Sequence, residues 1–203
     1  MTNPVKTEAI ALRAGLTLLV VLAFPSSREV LEARLTTHML VQLPLLAVSG
    51  WLIGMATLVA VGLNLSRFNR HGVTGIVLFA CLALIWMIPR LLELSLNDPA
   101  TTLAKFVSLP LAGLALAWSY PIAPLVLRGV LLAHAISMLA AMGWAYLAAP
   151  TRLCNAYLAD DQVLTGALLL ASSVALAVSI GMGALLDEPR RKVTAYTQPG
   201  TAA

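Results

Sequence analysis

Charge is what this sequence has least of. Only 11% of its 203 residues are charged, against roughly 25% in an ordinary soluble domain. With 60% of the chain hydrophobic, a soluble globular domain is excluded. The few charges fall between apolar blocks, and the blocks run close to the roughly 20 residues a helix needs to cross a bilayer. Short alternating segments, the mark of a transmembrane β-barrel, are missing as well. A bilayer offers no water to backbone groups, so each span must satisfy its own, which leaves helices. The expected fold class is an all-α integral membrane protein.

Cysteine is also scarce. Cys81 and Cys154 are the only two, too few for a disulfide framework, and both are expected as free thiols. There is no G-x-x-x-x-G-K-[ST], no H-E-x-x-H and no C-x-x-C, so phosphate-loop, zinc-protease and dithiol chemistry have no motif. The nine acids are expected at or beyond helix ends, whereas proton-driven transport normally places carboxylates in mid-membrane. Glu93 is the deepest, and Arg90 three residues earlier is positioned to pair with it. Nothing frames a nucleophile, so no enzyme is expected. The net charge of +4 reads as loop and tail charge that orients the chain, with no nucleic-acid partner implied.

What is there is a row of six apolar blocks, at about 9–25, 38–63, 73–96, 103–119, 126–149 and 163–186. They predict one domain, a bundle of six transmembrane helices over 1–186, followed by a polar tail over 187–203 that is expected to be disordered. The first block follows Lys6 and could pass for a signal peptide. "AFPSS" offers no small-x-small cleavage site, so an uncleaved first helix is favoured. With both termini cytoplasmic, Lys6, Arg13, Arg67, Arg70, Arg128, Arg190, Arg191 and Lys192 fall inside. Arg28, Arg34, Arg90, Lys105 and Arg152 fall outside. Basic residues gather on the cytoplasmic side of membrane proteins, so this orientation is expected.

Small residues recur at four-residue spacing in Gly50/Gly54, Gly113/Ala117 and Ser179/Gly183. Such pairs let helices approach closely in lipid, within the bundle or against a partner helix.

In this topology the outer half gathers soft and polar side chains. His38, Met39 and Gln42 open the second helix, and Met87 lies in the outer half of the third. Met142 and Met138 lie about 10 and 16 Å below the outer end of the fifth, at 1.5 Å per residue. Imidazole and thioether together suit Cu(I), so these six residues form a candidate copper pocket. A lone methionine on such a helix is more often packing, and a histidine at a helix start more often an interfacial hydrogen-bonder. His134, inside the fifth block, is a functional candidate by position, or it stays neutral and bonds a backbone carbonyl or Ser137. The competing expectation is a metal-free structural or accessory subunit that docks through its small-residue faces.

The order of several short pieces gives a further lead. "TTHMLVQLPLL" is similar to an H-M-x-Q-H-x-L-L opening, and "IWMIPRLLELSL" to W-H-x-P-x-L-Y-E-x-A-L. "SLPLAGLALAWSYPI" matches S-F-L-x-A-G-L-L-F-W-W-P-I in outline. "ADDQVLTGAL" is similar to a D-Q-Q-x-x-G-L helix start. Over about 31–186 the chain thus resembles the bacterial membrane cytochrome c oxidase assembly factors of the CtaG type. The resemblance implies a multi-pass inner-membrane protein that helps mature a respiratory oxidase, with copper as a possible cargo and an oxidase subunit or other membrane protein as partner. Trp86, Pro89, Glu93, Asp161 and Gln162 stand on family positions. The histidines do not. Only His38 is kept, and the others fall on Leu43 or Pro44, on Met87 and near Phe106.

Overall fold

The computed structural model describes residues 4–65 and 69–197, with side-chain environments for 6–58 and 69–183. The last six residues of the expected tail, 198–203, lie outside the described residues. Among the described residues the chain is all helix: α1 (Pro4–Ala23), α2 (Pro25–Glu32), α3 (Leu35–Thr37), α4 (Leu43–Leu65), α5 (Val73–Trp86), α6 (Pro89–Asn97), α7 (Pro99–Ser119), α8 (Leu125–Ala148) and α9 (Ala159–Thr197). Helix α9 continues past residue 186, into sequence expected to carry no regular structure.

Four stretches are long and apolar enough to cross a membrane: Leu35–Leu58, Pro99–Ile122, Leu125–Ala148 and Ala159–Gly183. Two further candidates are bent pairs. Lys6–Ala23 turns by 71° into Pro25–Glu32, and Arg70–Trp86 turns by 74° into Pro89–Asn97. The block at 73–96 is therefore not one straight helix. Proline is the cause at both bends. Pro25 and Pro89 open the second helix of each pair, and the preceding Phe24 and Ile88 are extended. Proline disfavours helical geometry in the residue before it and fits the first helical position, so each X-Pro ends one helix and begins another.

The helices stack through the small residues. A Cβ on Gly50 would lie 1.8 Å from the Pro110 carbonyl oxygen, and one on Gly113 would lie 1.8 Å from that of Ala47. Gly54 faces Ala117 and Leu114 in the same seam, so α4 and α7 touch backbone to backbone. Gly15 packs α1 on Ser49 and Ile53 of α4, and Gly143 and Gly166 join α8 to α9. Two of the three expected small-residue pairs thus pack against each other within the chain. The third does not: a Cβ on Gly183 would meet no other element within 4 Å among the described residues, and Ser179 bonds its own helix at Leu176.

Candidate functional site

The stretch 36–46 folds as a π-turn. Residues His38–Gln42 are π-helical, and the Leu43 N–H bonds the His38 carbonyl five residues back. Pro44 supplies the reason. It has no N–H for the Leu40 carbonyl and its ring crowds that carbonyl, so the regular ladder cannot run through this turn. Widened turns of this kind are frequent at functional sites. Here the turn carries His38, Met39 and Gln42 inward, all three buried.

Opposite them lies a residue that the sequence places at the outer end of the fourth block. Lys105 sits in α7, six residues past its start, about 9 Å along the axis at 1.5 Å per residue. Its side chain is fully buried. The ammonium has three protons and three acceptors: Glu32 Oε1 at 2.8 Å, His38 Nε2 at 2.9 Å and Gln42 Oε1 at 3.2 Å. Glu32, from the end of α2, also accepts from Gln42 Nε2 at 3.0 Å and Arg28 Nε at 3.3 Å. An ammonium only donates, so His38 Nε2 must accept, and its proton resides on Nδ1. Nδ1 then donates to the Tyr157 hydroxyl at 2.7 Å. The cluster is closed around Lys105, with all three ammonium protons and both imidazole nitrogens used.

The loop between α8 and α9 lies over this cluster. Tyr157 reaches down from it to His38. The Ala156 N–H donates to Glu93, the Cys154 thiol to the Pro89 carbonyl, and the Leu153 N–H to Gln162 Oε1. Glu93 thus holds the loop, and among the described residues it makes no ion pair with Arg90. Burial pushes the Cys154 thiol up to about 11 and raises the Tyr157 hydroxyl too. Asp161 closes the other side. Its carboxylate accepts from the Leu35 and Thr36 N–H groups and from the Thr36 hydroxyl at 2.7 Å. Those N–H groups are unpaired donors at a helix start, where an anion is favoured.

The methionines divide. Met39 accepts the Tyr146 hydroxyl at 3.2 Å. Met87 and Met142 pack against the same core as Met39, which also holds Cys154, Tyr146 and Tyr157, whereas Met138 stands outside it. His134 is elsewhere on α8, and its buried Nε2 has no hydrogen-bond partner among the described residues. Ser137 does not serve it, since that hydroxyl bonds the Ala133 carbonyl. Cys81 and Cys154 are both free thiols, Cys81 exposed and Cys154 buried. Among the described residues no three His, Cys, Asp or Glu side chains converge as a metal site.

Lys105, Glu32, Arg28 and Tyr157 are the members that sequence reasoning missed. One signal was present: Lys105 is the sole charge between Pro99 and Ser119. A lone intramembrane charge is a functional candidate, but a block drawn from 103 placed it at a helix end, where lysine snorkels to water. Compared with protein-family models, curated proteins and solved structures, the chain matches none.

Proposed function

We propose that this chain is a six-span protein of a bacterial inner membrane, both termini cytoplasmic, that acts as an assembly or accessory factor for a respiratory cytochrome c oxidase and holds no metal of its own. The single observation that carries the metal-free role is the Lys105 ammonium on His38 Nε2. It occupies the lone pair a copper ion would need, while Nδ1 is spent on Tyr157. Six spans follow if each bent pair crosses once, and an even number returns both termini to one side. Burial of Lys105 removes one basic residue from the outer loops, which strengthens the positive-inside bias.

The oxidase assignment rests on the resemblance in landmark order. In favour of it, several landmark residues make contacts at one end of the bundle. Trp86 donates to Ser108, Pro89 and Glu93 hold the outer loop, and Asp161 and Gln162 bind α3 and that same loop. For the partner, the open faces at Gly181 and Gly183 of α9 suit a helix of an oxidase subunit or other membrane protein. Copper delivery through His38, Met39, Gln42, Met87, Met138 and Met142 is the second reading. It is favoured by the common core of Met39, Met87 and Met142 with Cys154.

Deleting the gene in its host and measuring assembled oxidase by haem absorbance and oxygen uptake tests the first reading. Assembled oxidase should fall and return with the wild-type gene; an unchanged level overturns the assignment. Cu(I) loading of the purified protein separates the two. Equal, background copper in wild type and His38→Ala supports the metal-free role, and copper held by wild type alone supports the second.

A further inference from the structure

Beside the buried cluster, but outside it, a cleft of about 440 Å³ opens where α1 bends into α2 and α6 gives way to α7. Its polar lining is Arg28, Asn97 and Thr102, and its apolar walls include Leu96, Leu103 and Phe106. The bends of 71° and 74° turn α2 and α6 away from the axes of α1 and α5. In a bilayer crossed by α1 and α5, both short helices then lie at the headgroup level, and so does the cleft.

The charge of this corner does not balance. Arg28 and Lys105 share one carboxylate, Glu32. Lys105 is sealed, but the Arg28 side chain keeps 31% of its surface and lines the cleft. Its bonds to Glu32 are long, 3.3 and 3.5 Å. Its guanidinium lies 5.5 Å from the Phe106 ring centroid, and the Lys105 ammonium lies 5.3 Å from the same ring. Phe106 is thus the wall between the closed cluster and the open cleft. Two acids are near in sequence. Asp98 is committed to capping α7 at Thr101, and Glu29 is exposed on α2. The Asn97 side chain is exposed and makes no hydrogen bond to the described residues, so its amide is available as a donor. Leu103, 66% exposed, offers an apolar track beside these donors.

We infer that this cleft seats an anionic phospholipid of the leaflet that α2 and α6 face. The phosphate lies against Arg28 and Asn97, and an acyl chain runs along Leu103 and Phe106. A guanidinium recognises phosphate through its planar fork, and its stacking on Phe106 holds the fork in place. The inference does not depend on the assembly role, and its test reads lipid alone.

The purified chain is placed in phosphatidylcholine nanodiscs with a minor share of phosphatidylglycerol, and retained lipid is measured by native mass spectrometry. Phosphatidylglycerol should be enriched about fivefold, the preference one basic residue confers at an anionic surface. Arg28→Gln should abolish the enrichment. Leu103→Trp, which fills the cleft without touching Glu32 or Lys105, should abolish it too, and Arg152→Gln in the outer loop should not. Enrichment equal in wild type and Leu103→Trp would overturn the site. So would loss of enrichment on adding millimolar inorganic phosphate, which would make the cleft a free-anion site.

Discussion

At the scale of single residues, burial decides chemistry. Cys154 and Cys81 are both thiols, but Cys154 is buried within the α8–α9 loop and Cys81 is exposed. The thiolate is the reactive form, and burial pushes the Cys154 thiol up to about 11. Maleimide at pH 8 should therefore label Cys154 only after unfolding, and prompt labelling of Cys154 in native Cys81→Ala protein would contradict the packing of the loop. The stability consequence has a definite sign. A native pKa above the unfolded value of 9.0 contributes stability that is fully present below pH 9 and is lost as pH rises through 11. Tyr157, also raised by burial, acts in the same direction. The midpoint of detergent unfolding should fall between pH 9 and 11, and fall less in Cys154→Ala. The residues also show where sequence reading stops. His38 and Gln42 were legible because they stand four apart at a helix start. Lys105 meets His38 from 67 positions away, Gln42 from 63 and Glu32 from 73, distances over which spacing carries no information. The lone charge in α7 was visible, but only its partner distinguishes a paired interior lysine from a snorkelling one.

At the scale of elements, proline and glycine did most of the work, and both were readable. Pro25 and Pro89 end α1 and α5 where X-Pro geometry demands it, although a hydropathy block runs straight through Pro89. Gly50, Gly54 and Gly113 stand out by spacing, but spacing does not name the helix each one faces; in the fold α4 and α7 face each other. The contact leaves no room for side chains. Gly113→Leu should destabilise the protein by at least the roughly 1–3 kcal/mol typical of overpacking, read as a lower unfolding temperature in detergent. Gly183→Leu, with open space around it, should leave that temperature within a degree or two of wild type. Equal losses in the two variants would contradict the α4–α7 seam. If Gly183→Leu lowers oxidase assembly while the unfolding temperature holds, the α9 face is the docking face.

At the scale of the whole molecule, one end of the bundle is tied by a polar knot around Lys105, while α4 and α7 meet backbone to backbone through their glycines. A reporter fused after Tyr157 and one fused after Arg70 should report opposite sides of the membrane, and the same side would contradict the six-span topology. The all-helical membrane class was legible because composition alone excludes the alternatives. The knot was not, because it assembles from α2, the π-turn, α7 and the α8–α9 loop. A buried pair is costly to break, since removing one partner strands the other charge away from water, at about 3–5 kcal/mol. Groups within one such network are coupled, so their losses do not add. The most direct test is a double-mutant cycle on Lys105→Met and Glu32→Gln, read by unfolding in detergent. Each single change should cost several kcal/mol by that measure, and the double variant should cost clearly less than the sum. Strict additivity, or single variants as stable as wild type, would contradict a bundle locked by its buried lysine.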